Sequence, residues 1–229
     1  MNSSNRPAID LRPLVTAPLI DQGARPLCVP ISLSLAHEAA VITAADQARA
    51  PEAIWWHCTK EGLVSADGML LEDAGDTLEV SGQPALVAWP WNPNLGVGTE
   101  DPPGAAGSPP WQTATLEPLD LAHDGIESDI EDALAEGRPV VLVVEVTDEF
   151  DEAGEDGSIE VPDIRSASGD YHAVLVVGAA TDAERGRRLL IRNSWGDYWG
   201  AGGYAWLPLD YLIAFAAEAA VVINWHAAL

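Results

Sequence analysis

Four side chains of this 229-residue chain have the types and positions that attack on a carbonyl group requires. Cys28 offers a thiol, which attacks well only as a thiolate and therefore needs a helix start and a histidine. His172 is the candidate base, and Asn193 is a candidate to hold its imidazole in one tautomer. Gln22 is placed to supply an amide beside the backbone N–H of Cys28, where an oxyanion would form. Taken alone, Cys28 is equally compatible with a buried core residue at the start of a helix.

The elements that position these residues fall into two groups along the chain. The apolar run that begins at Cys28 predicts a buried helix, and Pro30 falls in its first turn, where proline is tolerated. Further helices are predicted over about 50–58, 68–80 and 126–135. From residue 139 the pattern changes to β-branched runs, which predict strands at 139–146, 173–178, 189–193, 204–208 and 220–224.

Two segments are expected to lie outside this regular structure. The Pro- and Trp-rich stretch at 84–118 is predicted to be a long irregular connection, and the acidic stretch at 147–160 a solvated excursion. The strands at 173–178 and 189–193 are expected to pair in antiparallel fashion, so that the start of one lies beside the end of the next. His172 and Asn193 are therefore predicted to be neighbours in space.

Helices in the first half and strands in the second half predict an α+β fold. We expect a single domain over residues 1–229 with two lobes, a helical one at about 9–120 and a β one at about 121–225. Clefts between lobes are favoured ligand sites, and Cys28 is predicted to lie at the helical edge of this cleft.

Charge and composition exclude several classes of partner. The formal net charge of −25, from 36 acidic against 11 basic residues, argues against binding to nucleic acid or to an anionic membrane. No apolar run reaches the roughly 18–20 residues that a membrane span needs. The five histidines lack the spacing of a metal site, so neither a metal nor a cofactor is expected. Two cysteines and no secretory signal predict a cytoplasmic protein, and the oligomeric state is left open.

Three stretches together resemble the papain family of cysteine peptidases. "DQG" at 21–23 precedes Cys28, "HAVLVVG" begins at His172, and "NSWGDYWGAGGY" begins at Asn193, in the order of that family. Cys28 and His172 are also separated by a distance within the family's range of about 130–150 residues. The resemblance extends over about residues 9–225 and implies a papain-like fold with a helical lobe and an antiparallel, β-barrel-like lobe.

The resemblance also implies a role for each residue. Cys28 would be the nucleophile of an acyl-enzyme, His172 its general base and acid, Asn193 the orienting group, and Gln22 an oxyanion donor. Trp195 would cover the bond between His172 and Asn193. Residues proposed to contact an apolar substrate side chain are Met69, Leu70, Tyr171, Trp195 and the stretch around Tyr211–Phe215.

The family pattern is altered just before the nucleophile. Arg25 stands where the family has a disulfide cysteine, so Cys58 is expected to be a free, buried thiol, and Pro26-Leu27 replaces small residues. The eight residues ahead of the resemblance are too few for a prosegment, which suggests a bacterial-type member with a dedicated role such as leader-peptide processing. Two alternatives remain: a peptide ligase or cyclase with the same triad, and an inactive peptide-binding module.

Overall fold

The computed structural model describes residues 6–41, 48–123, 125–163 and 169–223. Its helices are α1 (Cys28–Ala40), α2 (Pro51–Glu61), α3 (Leu71–Val80), α4 (Ile126–Ala135), α5 (Asp148–Asp151) and α6 (Leu209–Phe215). Its strands are β1 (Ile9–Asp10), β2 (Thr115–Pro118), β3 (Val140–Glu145), β4 (Tyr171–Asp182), β5 (Gly186–Arg192), β6 (Tyr204–Pro208) and β7 (Ala216–Ile223). Three short 3₁₀ turns lie at Arg12–Leu14, Pro93–Leu95 and Gly104–Ala106.

All seven of these strands belong to one antiparallel sheet. The strand order is β2-β7-β3-β4-β5-β6, and β1 pairs with β4. Strand β4 pairs with β5 in the register Leu175↔Arg192, which carries His172 and Asn193 to the same end of the sheet. The pairing predicted from the sequence is therefore confirmed.

The two faces of the sheet are covered by different helices. Side chains alternate across the strands, so that Val141 and Val143 pack with α1, α2 and α3, while Val140 and Leu142 pack with α4 and α6. Helix α1 is buried on nearly every side, because it is enclosed between the sheet and the other two helices. Helices and an antiparallel sheet in this arrangement confirm the α+β class.

The segment that leads to Gln22 is held by buried charges. Glu38, near the end of α1, accepts hydrogen bonds from the backbone N–H of Thr16 at 2.6 Å and of Ala17 at 3.1 Å. Arg192, at the end of β5, donates to the carbonyls of Ala17 at 2.7 Å and Pro18 at 2.8 Å. These bonds fix residues 16–18 against both the helices and the sheet, and so determine where the chain enters the site.

The stretches expected to be irregular contain regular elements. Strand β2 lies inside the 84–118 connection and pairs with β7 through Pro118↔Ala220, a partner that no local pattern reveals. The acidic 147–160 excursion contains the single turn α5, which buries Phe150 beneath a charged surface. The predicted last strand extends to residue 224, which lies outside the described residues.

In the described part of the chain, no helix is long and apolar enough to cross a membrane.

Candidate active site

Cys28 is the first residue of α1, and its side chain is partly exposed at the edge of a cleft. The first N–H groups of a helix have no acceptor within it, so those of Cys28 and Val29 are available near the sulfur. Burial raises the pKa of the Cys28 thiol, while backbone hydrogen bonding from Ala173, Val29 and Cys28 acts in the opposite direction. Burial thus favours the protonated thiol, and attack on a carbonyl requires transfer of that proton to a neighbouring base.

His172 and Asn193 form a direct hydrogen bond. Nε2 of His172 lies 2.6 Å from Oδ1 of Asn193, and that oxygen also accepts the backbone N–H of Ser194 at 2.7 Å. Because a backbone N–H only donates, the atom that receives it is the amide oxygen, and Nε2 must then carry its proton. The other ring nitrogen, Nδ1, is left as the acceptor for a thiol proton.

Aromatic rings enclose this histidine. The Trp195 ring lies 4.5 Å from the His172 ring, and the Phe150 ring lies 6.1 Å from it, measured between centroids. Trp199 packs at 5.8 Å from Trp195 and donates its indole N–H to the carbonyl of Phe150 at 3.1 Å. Burial lowers the pKa of His172 to about 4, against a smaller opposing contribution from the Asn193 hydrogen bond. The imidazole is therefore neutral at physiological pH and able to accept a proton.

Ser194 connects the two halves of the site, although no functional role was expected for it. Its backbone N–H binds Asn193, its carbonyl accepts the backbone N–H of Gln22 at 2.8 Å, and its hydroxyl donates to Oε1 of Gln22. One residue thus orients both the amide that holds the histidine and the amide of Gln22. Sequence reasoning missed this role, because the partners of Ser194 lie far apart in the chain and only its position directly after Asn193, just beyond β5, marks it.

The Gln22 amide is buried and has a defined orientation. Its oxygen is engaged by Ser194, and Nε2 donates one N–H to the carbonyl of Arg25 at 2.9 Å. An amide nitrogen carries two N–H groups, so one remains for a ligand.

Cys28 and His172 line the same cleft, which has a volume of about 300 Å³. Of the residues proposed for substrate contact, Met69, Leu70 and Tyr171 lie in its wall. The remaining lining comes from residues for which no such contact was expected, which are Val29, Asp67, Leu71, Val143, Ala173, Ala217 and Glu218. The apolar floor therefore has an acidic rim.

Other proposed contact residues lie elsewhere. Trp195 packs on His172 and is not among the described residues that line the cleft. Tyr211 and Phe215 are buried in the core between α6 and the sheet, and the Tyr211 hydroxyl donates to the carbonyl of Glu145 at 2.8 Å. The expectation that this stretch lines the pocket is wrong, because Tyr211, Leu212 and Phe215 are buried in packing α6 and none of residues 211–215 lines the cleft. Cys58 is a free, buried thiol, as expected.

Comparison with known proteins agrees with this fold. Residues 111–219 match the family model described as papain family cysteine protease. The whole described fold superimposes on xylellain, a cysteine protease from Xylella fastidiosa, with a TM-score of 0.72 and 23% identity over 96% of this chain and 86% of that one. This chain has a papain-like fold. The resemblance inferred from the sequence is therefore confirmed.

Further similarities are of the same kind. A cysteine protease from Carica candamarcensis in complex with E-64 gives a TM-score of 0.73 at 21% identity, covering 95% of the papain-like chain and 98% of that structure. The chain is also 32% identical over 91 residues to silicatein of Petrosia ficiformis, covering 40% of this chain and 26% of that protein. A probable cysteine protease of Arabidopsis thaliana is 50% identical over 40 residues, covering 18% and 11%. The chain thus matches about a quarter or less of the length of these two relatives.

Proposed function

We propose that this papain-like chain is a cysteine peptidase that hydrolyses peptide bonds through an acyl-enzyme on Cys28. The observation that carries the proposal is the hydrogen bond between Nε2 of His172 and Oδ1 of Asn193, because it leaves Nδ1 unprotonated in the cleft that Cys28 also lines. A thiol, a neutral base and an oriented amide donor in one cleft are the components of nucleophilic acyl transfer.

The proposed reaction has two halves. Sγ of Cys28 attacks the peptide carbonyl carbon as its proton moves to Nδ1 of His172, and the carbonyl oxygen becomes an oxyanion facing the Cys28 N–H and the free N–H of Gln22. Collapse of this intermediate breaks the C–N bond, and His172 gives its proton to the leaving amine. Water then attacks the thioester, its proton passes through His172 to the sulfur, and a carboxylic acid is released.

The residues that line the cleft favour particular substrate side chains. Apolar residues form its floor, Asp67 and Glu218 lie at its rim, and the chain as a whole carries a formal charge of −25. We propose a peptide with an apolar or basic side chain near the cleaved bond, and processing of a precursor peptide as the biological use. Two unpaired cysteines support a reducing compartment such as the cytoplasm.

Labelling with a thiol-reactive epoxide at neutral pH, followed by mass spectrometry, tests the nucleophile and its base together. We expect modification at Cys28, its loss in His172→Ala, and no modification of the buried Cys58. Peptide hydrolysis measured in parallel should disappear in Cys28→Ala. Equal labelling of Cys58, or labelling of Cys28 that does not depend on His172, contradicts the proposal. A product lighter by one water than the products of hydrolysis would identify ligation instead.

A further inference from the structure

Arg25 is buried at the turn between Gln22 and Cys28, and its contacts reach both the oxyanion side of the site and a distant loop. We infer that Arg25 is a positioning residue, whose side chain anchors the turn that aims the Gln22 amide at the reacting carbonyl. The inference rests on the proposed function, and it assigns a role to the residue where the sequence departs most from the papain pattern.

The backbone of Arg25 holds Gln22 directly. Its N–H donates to the carbonyl of Gln22 at 3.0 Å, and its carbonyl accepts both Nε2 of Gln22 at 2.9 Å and the N–H of Leu27 at 2.9 Å. The direction of the Gln22 amide is therefore set by the Arg25 carbonyl on its nitrogen side, together with the Ser194 hydroxyl on its oxygen side. A small movement of this carbonyl rotates the second N–H of Gln22 away from the place where the oxyanion forms.

The side chain of Arg25 is what holds that backbone in place. Of residues 23–26, all of which the structure describes, Arg25 alone is buried, with 2% of its surface exposed. Gly23 and Ala24 are exposed, and Pro26 is half-buried. The turn thus has one internal anchor between Gln22 and Leu27, and this anchor is a guanidinium.

The anchor makes contacts in three directions. Nη1 and Nη2 bind the two carboxylate oxygens of Glu52 on α2, at 2.6 and 3.0 Å, and Nε donates to the carbonyl of Gly96 at 2.7 Å. Nη1 also donates to the carbonyl of Asn92 at 3.0 Å, and the guanidinium lies 4.6 Å from the ring of Trp91. A planar fork with several donors satisfies this geometry, whereas the point charge of lysine does not.

Two reactions of Cys28, alkylation and amide hydrolysis, differ in whether they need the oxyanion donors that Arg25 positions. Alkylation of Cys28 by iodoacetamide needs the thiol and the imidazole but forms no oxyanion. Hydrolysis of a peptide amide needs the oxyanion donors as well, and loss of one such donor costs roughly 10²–10³-fold in kcat. Displacement of the Arg25 carbonyl should therefore slow hydrolysis and leave alkylation unchanged.

The test uses a double variant, Arg25→Met with Glu52→Leu, because removing one partner alone would leave a buried charge uncompensated. A matched control is Arg187→Met with Glu131→Leu, a buried bidentate pair of similar exposure that makes no described contact with Gln22. Arg25→Lys is a second variant, which keeps the charge opposite Glu52. We expect kcat for amide hydrolysis to fall at least tenfold in both Arg25 variants, with the alkylation rate of Cys28 within about twofold of the parent.

A cycle with Gln22→Ala shows whether Arg25 acts through Gln22. If it does, the Arg25 substitutions will lower hydrolysis much less in the Gln22→Ala background than in the parent, because the donor is already gone. Equal effects in the two backgrounds, unchanged hydrolysis, a parallel fall in alkylation, or an equal loss in the Arg187 control would each overturn the inference. Failure of the parent chain to hydrolyse peptides or to be labelled at Cys28 would instead overturn the proposed peptidase function.

Discussion

The indole of Trp195 covers the imidazole of His172, with ring centroids 4.5 Å apart and planes inclined by 36°. Both His172 and Asn193 are buried, and we expect this contact to keep water from the bond between them. Burial is the largest cause of the low pKa of His172, about 4, so the cover should govern the protonation of the base as well as its orientation.

Substitution of Trp195 by alanine should raise the pKa of His172 towards its ordinary value of about 6.5, because the imidazolium becomes hydrated. Since only the neutral imidazole accepts the thiol proton, the acid limb of kcat/KM should move to higher pH. NMR titration of the imidazole in a Cys28→Ala background measures the pKa without turnover. Trp56→Ala, in the separate aromatic cluster of Trp56, Trp89 and Trp111, is the matched control. An unchanged pKa in Trp195→Ala would show that the ring does not shield the base.

Substitution of Asn193 by alanine should lower kcat by about ten- to a hundredfold and change KM little, because the base loses its fixed tautomer rather than its ability to titrate. Asn193→Asp keeps an acceptor opposite Nε2 and should also raise the pKa of His172 by adding a negative charge beside it. Steady-state kinetics across pH separates the two variants. A loss confined to KM would contradict an orienting role.

Glu218 at the rim of the cleft should select basic side chains. A lysine or arginine side chain can place its stem on the apolar floor formed by Met69 and Val143 and its charge near Glu218. Glu218→Gln should lower kcat/KM for such substrates by up to about fivefold, the scale of an exposed ion pair, and leave leucine substrates unchanged. Measuring the same ratio as salt rises provides the electrostatic check, because screening should erase the difference. Glu72→Gln, on α3 and outside the lining of this cleft, is the matched control.

His37 should make the fold less stable in mild acid. It is fully buried in α1, its Nδ1 lies 3.0 Å from Oε1 of Gln83, and burial lowers its pKa to about 4. Between pH 6.5 and 4 the unfolded chain therefore binds a proton that the folded chain does not, so this contribution to stability is complete above pH 6.5 and is lost as the pH falls. Urea unfolding at pH 7.5 and pH 5 should differ by about 2 kcal/mol because of this residue.

The variant His37→Asn keeps a donor for Gln83 and removes the titration. It should lose that part of the pH dependence, while the part contributed by His172 remains. An identical pH dependence in the two proteins would mean that His37 is accessible to protons in the folded state.

Elements with a local pattern could be predicted from the amino-acid sequence. Helix α4 was expected at about the bounds that the structure has, because its apolar residues recur at helical spacing. The helix that begins at Cys28 and the strand pair that joins His172 to Asn193 followed from periodicity and from the geometry of antiparallel strands. A glutamine, a cysteine, a histidine and an asparagine in family order were enough to propose candidate residues for the site.

Features that depend on partners far apart in the chain emerged only in the folded molecule. No local pattern reveals that β2 pairs with β7, that Tyr211 is a core residue, or that Ser194 serves two amides, because each depends on contacts between distant segments. Arg25 is the clearest case. Read from the sequence, it is a departure from a family pattern. In the fold its buried guanidinium binds Glu52 and the backbone carbonyls of a loop about 70 residues away. A guanidinium removed from water needs a compensating negative charge, and only tertiary packing brings Glu52 to it.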